Sequence, residues 1–416
     1  MANAPPASLE ENHAGDRMNI WILNHYAGTA TSTSTRHYDL GKELAQKGHA
    51  VTIFASGFNH HKFVEERFSR GERWKTENQS GVRFIWIKTA PYKGNGWRRV
   101  VNVLSYAWRV IWIGRRIKEK PDVIIGSCVH PFAVLSAYIL SIIKKSRFFF
   151  EVRDLWPQTL IDMGALSEKG PVAIGLRIME KFLYRKAEKI ITLLPYADKY
   201  ITRLGIPKEK IVWIPNGADL SRYEKIKKYT GEISRLFTVL YLGSYGKANA
   251  LDNILDAAKI LQDKGRIDVR FVFIGDGPEK KSLINYSRLN NIKNVEFGNS
   301  VPKDCIYKEL EKADAFVLPL KDVPVFEYGI SSNKLFDYLA AGRPILFSGN
   351  ATNNPVHDAG AGICVPPENP EALANAVAEL INKSPAERIK MGENGMEYVK
   401  KYHDIRLLAD KLAAMF

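Results

Sequence analysis

Residues 19–54 read NIWILNHYAGTATSTSTRHYDLGKELAQKGHAVTIF and contain one complete strand–loop–helix–strand unit. The short apolar runs Asn19–Leu23 and Ala50–Phe54 are typical of buried parallel strands. Between them, the apolar spacing of Thr35–Lys47 predicts a helix, and Gly48 marks its end. A strand, a helix and a second strand in this order predict a βαβ unit with a parallel sheet.

The same alternation is repeated along both halves of the chain. In the first half, further strands are predicted at Arg83–Lys88, Asp122–Gly126, Arg147–Glu151, Lys189–Leu193 and Lys210–Ile214. In the second half they are predicted at Phe237–Leu242, Val269–Ile274, Asn294–Phe297, Ala315–Leu318, Pro344–Ser348 and Gly362–Val365. Two such series predict an α/β protein of two doubly wound, Rossmann-like domains that face each other across a cleft.

The turn Pro215-Asn216-Gly217 and the polar, basic segment after it divide the two series. We therefore place an N-terminal domain at residues 18–220 and a C-terminal domain at residues 221–401. Residues 1–17 are polar and slightly acidic and are predicted to be a disordered tail.

Composition excludes several classes of protein. The 416 residues include only three cysteines, which are too few for a disulfide framework or a cysteine-rich zinc site. The longest nearly uncharged apolar stretch, Val129–Ile143, is shorter than the roughly 20 residues that span a bilayer. A cytoplasmic location is expected.

The net charge of +15 is concentrated in the first half of the chain. Its densest part, residues 93–120, carries eight basic residues and a single acidic one, with tryptophan and aliphatic residues between them. This pattern is typical of an amphipathic helix on an anionic membrane surface. An ordinary core-facing helix with a solvated basic face is the alternative. Nucleic-acid binding is disfavoured because no motif for it is present.

Polar side chains follow several strands of the first domain. The small, hydroxyl-rich loop after the first strand contains Gly28, Thr29 and Ser34, and Arg36 opens the helix behind it. Because such a loop allows close approach of a polar ligand, we assign these four residues to the acceptor side of the cleft.

Two other strand ends of this domain carry candidate catalytic groups. His130 follows the strand that begins at Asp122, and there it could hydrogen-bond a sugar hydroxyl or stabilise developing positive charge. Asp154 could orient an acceptor hydroxyl, between Arg153 and Trp156 in the same strand-end loop. Structural ion pairing of Arg153 with Asp154 is the alternative.

The second domain opens with a glycine turn and a lysine. Gly243, Ser244 and Lys247 lie at a strand-to-helix junction, which is a natural place to bind a diphosphate, and Gly275 ends the next strand. The GK[ST] signature of a P-loop is missing, so hydrolysis of Mg-ATP is disfavoured.

The segment Phe326–Pro344 is the most informative part of the chain. Gly329, Ile330, Ser331 and Ser332 lead into a predicted helix whose free N–H groups and positive dipole end suit an anion, and Lys334 adds a full charge. Asp337, one turn further, could accept hydrogen bonds from a ribose. Glu327, before the helix, would face the group that the phosphate carries. Phosphate, ribose and sugar together describe a nucleotide-sugar.

With these residues in place, the chain resembles the bacterial family-4 glycosyltransferases of the GT-B fold from about Met18 to its C-terminus. The resemblance depends on six short stretches taken together: Lys47–Val51, Glu151–Pro157, Ile214–Asp219, Gly275–Pro278, Asn333–Pro344 and Ala361–Pro367. Among subgroups the chain is most similar to enzymes that add N-acetylated amino sugars such as fucosamine in O-antigen or capsule assembly.

The resemblance implies transfer of a sugar from a UDP-sugar, with retention of configuration, to a lipid-linked or saccharide acceptor. It also implies that Asn216 belongs to the donor site and that the final helix, within residues 402–416, returns to the first domain. Members carry two glutamates eight residues apart; Asp337 matches the second, whereas the first falls on Gly329 and Glu327 is the nearest acid. Ser244 stands where the family has an arginine, which leaves Lys247 and Lys334 to neutralise the diphosphate.

No Asp-x-Asp sequence occurs, so we expect a metal-independent reaction without a cofactor. Two other functions are compatible with the pattern. A UDP-sugar epimerase shares the two-domain architecture but needs neither an acceptor nor a membrane surface. A non-catalytic membrane scaffold would keep an inactive donor site.

Overall fold

The computed structural model describes residues 17–32, 34–60, 63–94, 96–233 and 235–416. The predicted tail therefore lies outside the described residues, apart from Arg17. Two open parallel sheets form two lobes, as the alternation of strands and helices predicts.

An eight-stranded sheet forms the first lobe, in the order β10-β9-β8-β7-β1-β2-β6-β5. All neighbouring strands are parallel except β5, which is antiparallel to β6 at the edge. The strands of this lobe, including a separate antiparallel pair β3–β4, are β1 (Asn19–Leu23), β2 (Ala50–Ser56), β3 (Phe58–Asn59), β4 (Val64–Glu65), β5 (Trp74–Gln79), β6 (Val82–Ile87), β7 (Val123–Cys128), β8 (Arg147–Val152), β9 (Lys189–Thr192) and β10 (Ile211–Trp213).

Two layers of helices cover this sheet. The helices of the first lobe are α1 (Arg36–Gln46), α2 (Trp97–Arg116), α3 (Pro131–Lys144), α4 (Gln158–Asp162), α5 (Pro171–Lys186) and α6 (Ala197–Arg203). Because the crossovers through α2, α3 and α5 all proceed in one direction along the sheet, right-handed connections place these three helices on one face. The crossover through α1 proceeds in the opposite direction, so α1 covers the other face.

Six parallel strands form the second lobe, in the order β13-β12-β11-β14-β15-β16. They are β11 (Phe237–Leu242), β12 (Val269–Ile274), β13 (Val295–Gly298), β14 (Ala315–Pro319), β15 (Ile345–Ser348) and β16 (Gly362–Val365). The remaining helices are α7 (Leu251–Asp263), α8 (Lys280–Leu289), α9 (Tyr307–Leu310), α10 (Asn333–Ala341), α11 (Pro355–Ala359), α12 (Pro370–Asn382), α13 (Pro385–Tyr402) and α14 (Ile405–Ala413).

The chain returns to the first lobe at its end. Helix α13 stops at Tyr402, and Asp404 forms an isolated parallel bridge with Ala218 of the linker. Beyond it, α14 packs beside α1 and buries Leu408 and Leu412 in the core that contains β1 and β2. The first lobe is therefore built from both ends of the chain.

Loops at the carboxyl ends of both sheets meet between the lobes. The Tyr196 N–H donates to the Tyr328 carbonyl at 3.1 Å, and the Lys303 N–H donates to the Thr31 carbonyl at 3.3 Å. Val325 and Tyr328 of the second lobe are buried in the hydrophobic core of the first. Ligand sites of doubly wound sheets lie at carboxyl strand ends, so the inter-lobe cleft is where the functional groups are expected.

Candidate functional site

Two glycine loops of the second lobe are in direct backbone contact. Gly275 has a φ of +149°, and a Cβ there would lie 1.8 Å from the Gly243 carbonyl oxygen. Gly277 has a φ of +154°, and its Cβ would lie 2.7 Å from both N and O of Tyr245. Only glycine permits this approach, which packs the loop after β11 against the loop after β12.

Lys334 lies against this pair of loops. Its Nζ donates to the Tyr241 hydroxyl at 2.9 Å and to Asn249 Oδ1 at 2.6 Å. The Tyr241 hydroxyl and the Asn249 amide in turn donate to the Ser244 carbonyl at 2.6 and 2.9 Å. This ring of hydrogen bonds fixes the ammonium group beside Gly243.

Both partners of Lys334 are uncharged, because burial raises the pKa of Tyr241 well above its usual value and an amide does not ionise. Burial without a counter-ion lowers the pKa of Lys334 to about 7. An anion that bound beside this ammonium would stabilise its charged form. Sequence reasoning found Lys334 but missed Tyr241 and Asn249, since neither belongs to a loop motif.

The two other predicted phosphate contacts of this lobe, Ser244 and Lys247, are exposed at the surface of the same loop. Lys247 begins a short 3-10 turn that ends at Asn249. The loop is thus held by its backbone and by Asn249, and the Ser244 and Lys247 side chains remain accessible to a ligand.

Helix α10 begins with N–H groups that its own side chains do not cap. Ser332 is the N-cap residue, but its side chain makes no capping hydrogen bond. The first N–H groups of a helix have no partner inside it, so they can bind an anion. Lys334 stands in this first turn, so a full charge and the helix dipole act on the same place.

Ser331 and Asn216 hold the entrance of α10 against the linker. The Asn216 N–H donates to Ser331 Oγ at 2.8 Å, and the Asn216 side-chain amide donates to the Ser331 carbonyl. Both groups of Asn216 are therefore used within the protein. These two predicted donor-site residues therefore bind each other and position the start of α10 against the linker.

Gly329 and Ile330 also lie where the lobes touch. Gly329 has a φ of +92°, and a Cβ would lie 2.6 Å from Asn353 Oδ1 and 2.7 Å from Pro195 Cδ of the first lobe. Asn353 Oδ1 accepts the Ile330 N–H at 2.6 Å. A glycine is thus required at the position that the family pattern gives to its first glutamate.

Asp337 is buried and paired. Its Oδ1 accepts from the Tyr223 hydroxyl at 2.5 Å, and its Oδ2 forms an ion pair with Lys303. Lys303 comes from the loop after β13 and contacts Thr31 of the first lobe through its backbone. Asp337, the residue predicted to bind the ribose, is therefore held by Tyr223 and Lys303. Sequence reasoning missed both partners, because they lie 114 and 34 positions away along the chain.

Glu327 has an exposed position on a 3-10 turn, Pro324–Tyr328. Its carbonyl accepts from the Thr352 hydroxyl at 2.7 Å. Its carboxylate lies close enough to Asp162 of α4 to help raise the pKa of that group, of which burial is the larger cause. Glu327 thus projects at the lobe boundary and is available to a ligand there.

His130 ends the loop after β7 and is the N-cap residue of α3. Its Nδ1 accepts the Ala133 N–H at 3.1 Å and therefore carries no proton, so Nε2 donates to His25 Nδ1 at 2.8 Å. His25 in turn stacks on Tyr106 of α2 with ring centroids 4.3 Å apart. Burial lowers the pKa of His130 to about 3 and holds that of His25 well below its usual value.

The neutral form of both rings is therefore fixed by the fold. This arrangement excludes His130 from acting as a protonated acid near neutral pH, and both of its nitrogens already have protein partners. Sequence reasoning did not assign His25 to the site.

Arg36 is buried, and its guanidinium is fully engaged. It pairs with Glu151 at 3.0 Å and donates to the carbonyls of Ile214, at 2.8 Å, and Pro215. The same carboxylate accepts from His37 at 2.6 Å. Arg36 therefore joins β8 to the linker, and each of its three side-chain nitrogens already donates to a protein acceptor.

Arg153, Asp154 and Trp156 form the loop after β8. Arg153 Nη1 is buried and has no hydrogen-bond partner in the described part of the chain. Asp154 is exposed, whereas Trp156 is half-buried against the first-lobe core. Arg153 and Asp154 form no ion pair with each other in the described structure, so the Arg153 guanidinium is the group of this loop that most needs a ligand.

The loop after β1 folds on itself and reaches the second lobe. The Gly28 N–H donates to the Ser34 carbonyl at 3.1 Å, and the Thr29 N–H donates to Ser32 Oγ at 3.1 Å. A Cβ on Gly28 would lie 2.2 Å from that of Ser32, so the turn requires glycine. Thr31 of this loop makes the contact with Lys303, so the predicted acceptor loop does border the cleft.

Within the described ranges, no group of three or more His, Cys, Asp or Glu side chains is arranged to hold a metal ion. Metal independence stays a prediction. None of the described helices is long and apolar enough to cross a membrane.

Comparison with known proteins identifies both lobes. A family model described as a glycosyl transferase 4-like domain matches residues 32–217, and one described as glycosyl transferases group 1 matches residues 237–383. The chain is a glycosyltransferase of the GT-B fold. The predicted fold class is thereby confirmed.

This glycosyltransferase is similar to two named transferases and to the protein of one solved structure. It is 20% identical over 81% of its length, and 86% of the relative's, to WcaI of Escherichia coli K12, named as a colanic acid biosynthesis glycosyl transferase. It is 26% identical over 73% of its length, and 77% of the relative's, to the alpha-D-kanosaminyltransferase of Streptomyces kanamyceticus. Anabaena HepE, solved with UDP and glucose, is 14% identical, with a TM-score of 0.67 over 96% of this chain and 99% of that one.

Proposed function

We propose that the protein is a retaining glycosyltransferase that moves a sugar, most specifically an N-acetylated amino sugar, from a UDP-sugar to a lipid-linked or saccharide acceptor in bacterial surface polysaccharide assembly. The observation that carries the donor assignment is Lys334, an ammonium group held by two neutral partners beside two crossed glycine loops. The names of WcaI and the kanosaminyltransferase support a polysaccharide product and an amino sugar.

Departure of the nucleoside diphosphate is the difficult step. We assign its stabilisation to Lys334, Lys247 and the uncapped start of α10 at Ser332, because all three place positive charge where the phosphates gain negative charge. Asp337 takes the ribose, through carboxylate lone pairs that Tyr223 and Lys303 leave unused. The reaction proceeds without a resident metal or cofactor in this proposal.

Retention then follows from attack on the face that the diphosphate leaves, with a phosphate oxygen taking the proton of the acceptor hydroxyl. Asp154 orients that hydroxyl, Glu327 faces the transferred sugar, and Arg153 holds an anionic part of the acceptor. His130, fixed in its neutral form, contacts the sugar through its ring rather than as an acid. Closure of the two lobes excludes water and limits hydrolysis of the donor.

The acceptor is presented at the cytoplasmic face of the inner membrane, and the protein is peripheral there. Helix α2 within the basic segment 93–120 supports this part of the proposal: it carries basic residues but no acidic ones, and Trp97 and Trp108 are exposed on it.

The test is transfer from a panel of nucleotide-sugars to short-chain polyprenyl-diphosphate sugars, followed by mass spectrometry. We expect the wild-type protein to add one N-acetylhexosamine-type residue from a UDP-sugar to the acceptor. The Lys334→Ala variant should lose this transfer and keep the wild-type melting temperature. Normal transfer by Lys334→Ala would refute the donor site. If the wild-type protein transfers no sugar from any donor of the panel, the proposed activity fails and the non-catalytic scaffold is the remaining hypothesis.

An epimerase is not favoured, because the relatives and family models are transferases. Incubation with UDP-sugar alone separates the two reactions. Only an epimerase converts the donor to its epimer without an acceptor.

A further inference from the structure

Three helices of the first lobe form a continuous layer on one face of its sheet. Ser136 Oγ of α3 donates to the Ala107 carbonyl of α2 at 3.1 Å, which joins these two helices. Tyr138 of α3 lies edge-on to Phe182 of α5, with ring centroids 5.4 Å apart. We call the solvent-facing side of α2, α3 and α5 the three-helix face.

This face is unusually apolar. Of the 21 large hydrophobic side chains that are exposed among the described residues, 11 lie on these helices, so the exposure is concentrated rather than scattered. Helix α5 contributes four of these side chains and α2 contributes five, and Ile178 of α5 is 67% exposed, close to the 70% of Trp108 in α2. The 11 side chains are Trp97, Val100, Val101, Leu104, Trp108, Ile142, Ile143, Val172, Ile174, Ile178 and Phe182.

The charges of the same helices are almost all positive. Helices α2 and α3 contain no acidic residue, and the single acid of α5, Glu180, is buried. Ten basic residues lie on the three helices, among them Lys181, Arg185 and Lys186 at the end of α5.

Apolar and cationic side chains together fit an anionic lipid surface, where hydrocarbon and phosphate lie within a few ångströms of each other. A second copy of the chain is a poor occupant, because it would bring cation against cation across the contact.

We propose that the three-helix face is a docking surface for an anionic phospholipid bilayer, and that α5 and α3 enter the membrane interface together with α2. This inference rests on the proposed function for the presence of a membrane, but it is carried by residues outside segment 93–120. Three parallel helices in one plane fix the orientation of the lobe, whereas a single helix would allow the lobe to roll about its axis. The cleft, which lies at the N-terminal ends of α3 and α5, then opens along the membrane surface.

The first experiment removes the apolar stripe of α5 and leaves α2 intact. Ile174→Ser with Ile178→Ser should weaken partitioning of the full chain into phosphatidylglycerol-containing vesicles by about tenfold or more. The matched control is Ile267→Ser with Leu289→Ser on the second lobe, where both side chains are still more exposed, at 88% and 86%. The control should partition as the wild type does. Equal partitioning of the two double variants would overturn the proposal.

A second measurement locates α5 directly. With Cys305 and Cys364 replaced by serine and Cys128 left buried, an environment-sensitive dye on Ile178→Cys should shift to the blue with anionic vesicles. A dye that remains in water while the protein is bound would show that α5 stays outside the interface, which contradicts the proposal.

Sedimentation without vesicles tests whether the three-helix face binds a second copy of this chain instead of a membrane. A dimer that dissociates in the Ile174→Ser, Ile178→Ser variant would make the face a subunit interface and overturn the inference. Transfer to a water-soluble acceptor should be the same in that variant and the wild type. If the wild type binds vesicles through α5 but transfers no sugar, the proposed function fails and the docking surface stands.

Discussion

Lys334 carries its positive charge without a counter-ion, between a phenol and an amide that both accept its protons. Desolvation disfavours the charged form, which lowers its pKa to about 7. A bound diphosphate would supply the missing negative charge and return the pKa toward its usual value. Donor binding should therefore be linked to uptake of a proton.

We predict that wild-type affinity for the UDP-sugar falls between pH 7.5 and 9, by up to about tenfold per pH unit, because neutral Lys334 must be protonated on binding. Calorimetry in two buffers of different ionisation enthalpy should show net proton uptake at pH 8. Lys334→Met should bind at least about 30-fold more weakly and lose this pH dependence. Lys247→Met, on the exposed lysine of the same loop, is the control that should keep the dependence. A wild-type affinity that is constant over this range would contradict the assignment.

Arg153 offers a second test at the level of one side chain. Its buried Nη1 lacks a hydrogen-bond partner in the described structure, and a buried unsatisfied donor is costly. If it binds the acceptor, Arg153→Gln should raise the KM for a polyprenyl-diphosphate acceptor by about tenfold or more and leave UDP-sugar affinity unchanged. A variant with weaker donor binding and the same acceptor KM would move Arg153 to the donor side.

At the scale of elements, His130 has two separable roles. It caps α3 by accepting the Ala133 N–H, and it donates to His25, which stacks on Tyr106 of α2. An asparagine can take over the cap but cannot replace the ring.

We predict that His130→Asn keeps near-wild-type stability and lowers kcat more than it weakens UDP binding. His130→Ala should do the same and also lose about 1 kcal/mol of stability, measured by denaturant unfolding, because it removes the cap. Full activity of His130→Asn would restrict this histidine to a structural role.

Helix α2 carries the electrostatic part of membrane attachment. Replacing Arg98, Arg99, Arg115 and Arg116 by serine should release the protein from anionic vesicles, since each cation near such a surface contributes about 1 kcal/mol. The control replaces the exposed second-lobe residues Lys264, Lys281, Lys293 and Lys390, which changes the net charge equally. Co-sedimentation should be lost only in the first variant; the same result for both would reduce the effect to net charge.

The elements differ in how well the sequence predicts them. Fully buried strands such as β1 and β7 appear as continuous apolar runs, and they were predicted within a residue or two. Edge strand β5, WKTENQ, has no buried face and gave no such signal. The pattern of residues 303–312 predicts one helix, whereas the structure has a 3-10 turn at Lys303–Cys305 followed by the short α9.

The loops that carry the candidate site could be predicted from the sequence, but the contacts between their side chains could not. Glycines and helix starts identified Gly243, Gly275 and Lys334, because strand-end loops are local features of the sequence. The partners of the site residues, such as Lys303 for Asp337 and His25 for His130, come from loops that are distant in the sequence. These contacts appear only when the sheets are assembled. For the same reason Arg36, assigned to the acceptor loop from its position, is instead an interior ion-pair partner of Glu151.

At the scale of the whole molecule, the second lobe is inserted between two parts of the first. Helix α14 buries Leu408 completely beside α1, whereas Leu407 on the same helix is 41% exposed. The first-lobe core is therefore incomplete without the end of the chain.

We predict that Leu408→Ala destabilises the first lobe by about 2–5 kcal/mol, because it leaves a cavity in a closed core. Leu407→Ala should change stability by less than about 0.5 kcal/mol. Thermal unfolding followed by tryptophan fluorescence would compare the two, because all eight tryptophans of the chain lie in the first lobe. Equal midpoints would mean that α14 is dispensable to the lobe.

The crossing of α14 also affects how the protein is made. The elements of the second lobe from β11 to α13 are contiguous in the chain and are available together as soon as they leave the ribosome. The first lobe begins to be synthesised earlier, yet its core waits for Leu408 and Leu412, which follow the whole second lobe in the chain. During translation the N-terminal half must remain unfinished, with part of the α1 surface uncovered, until α14 has left the ribosome.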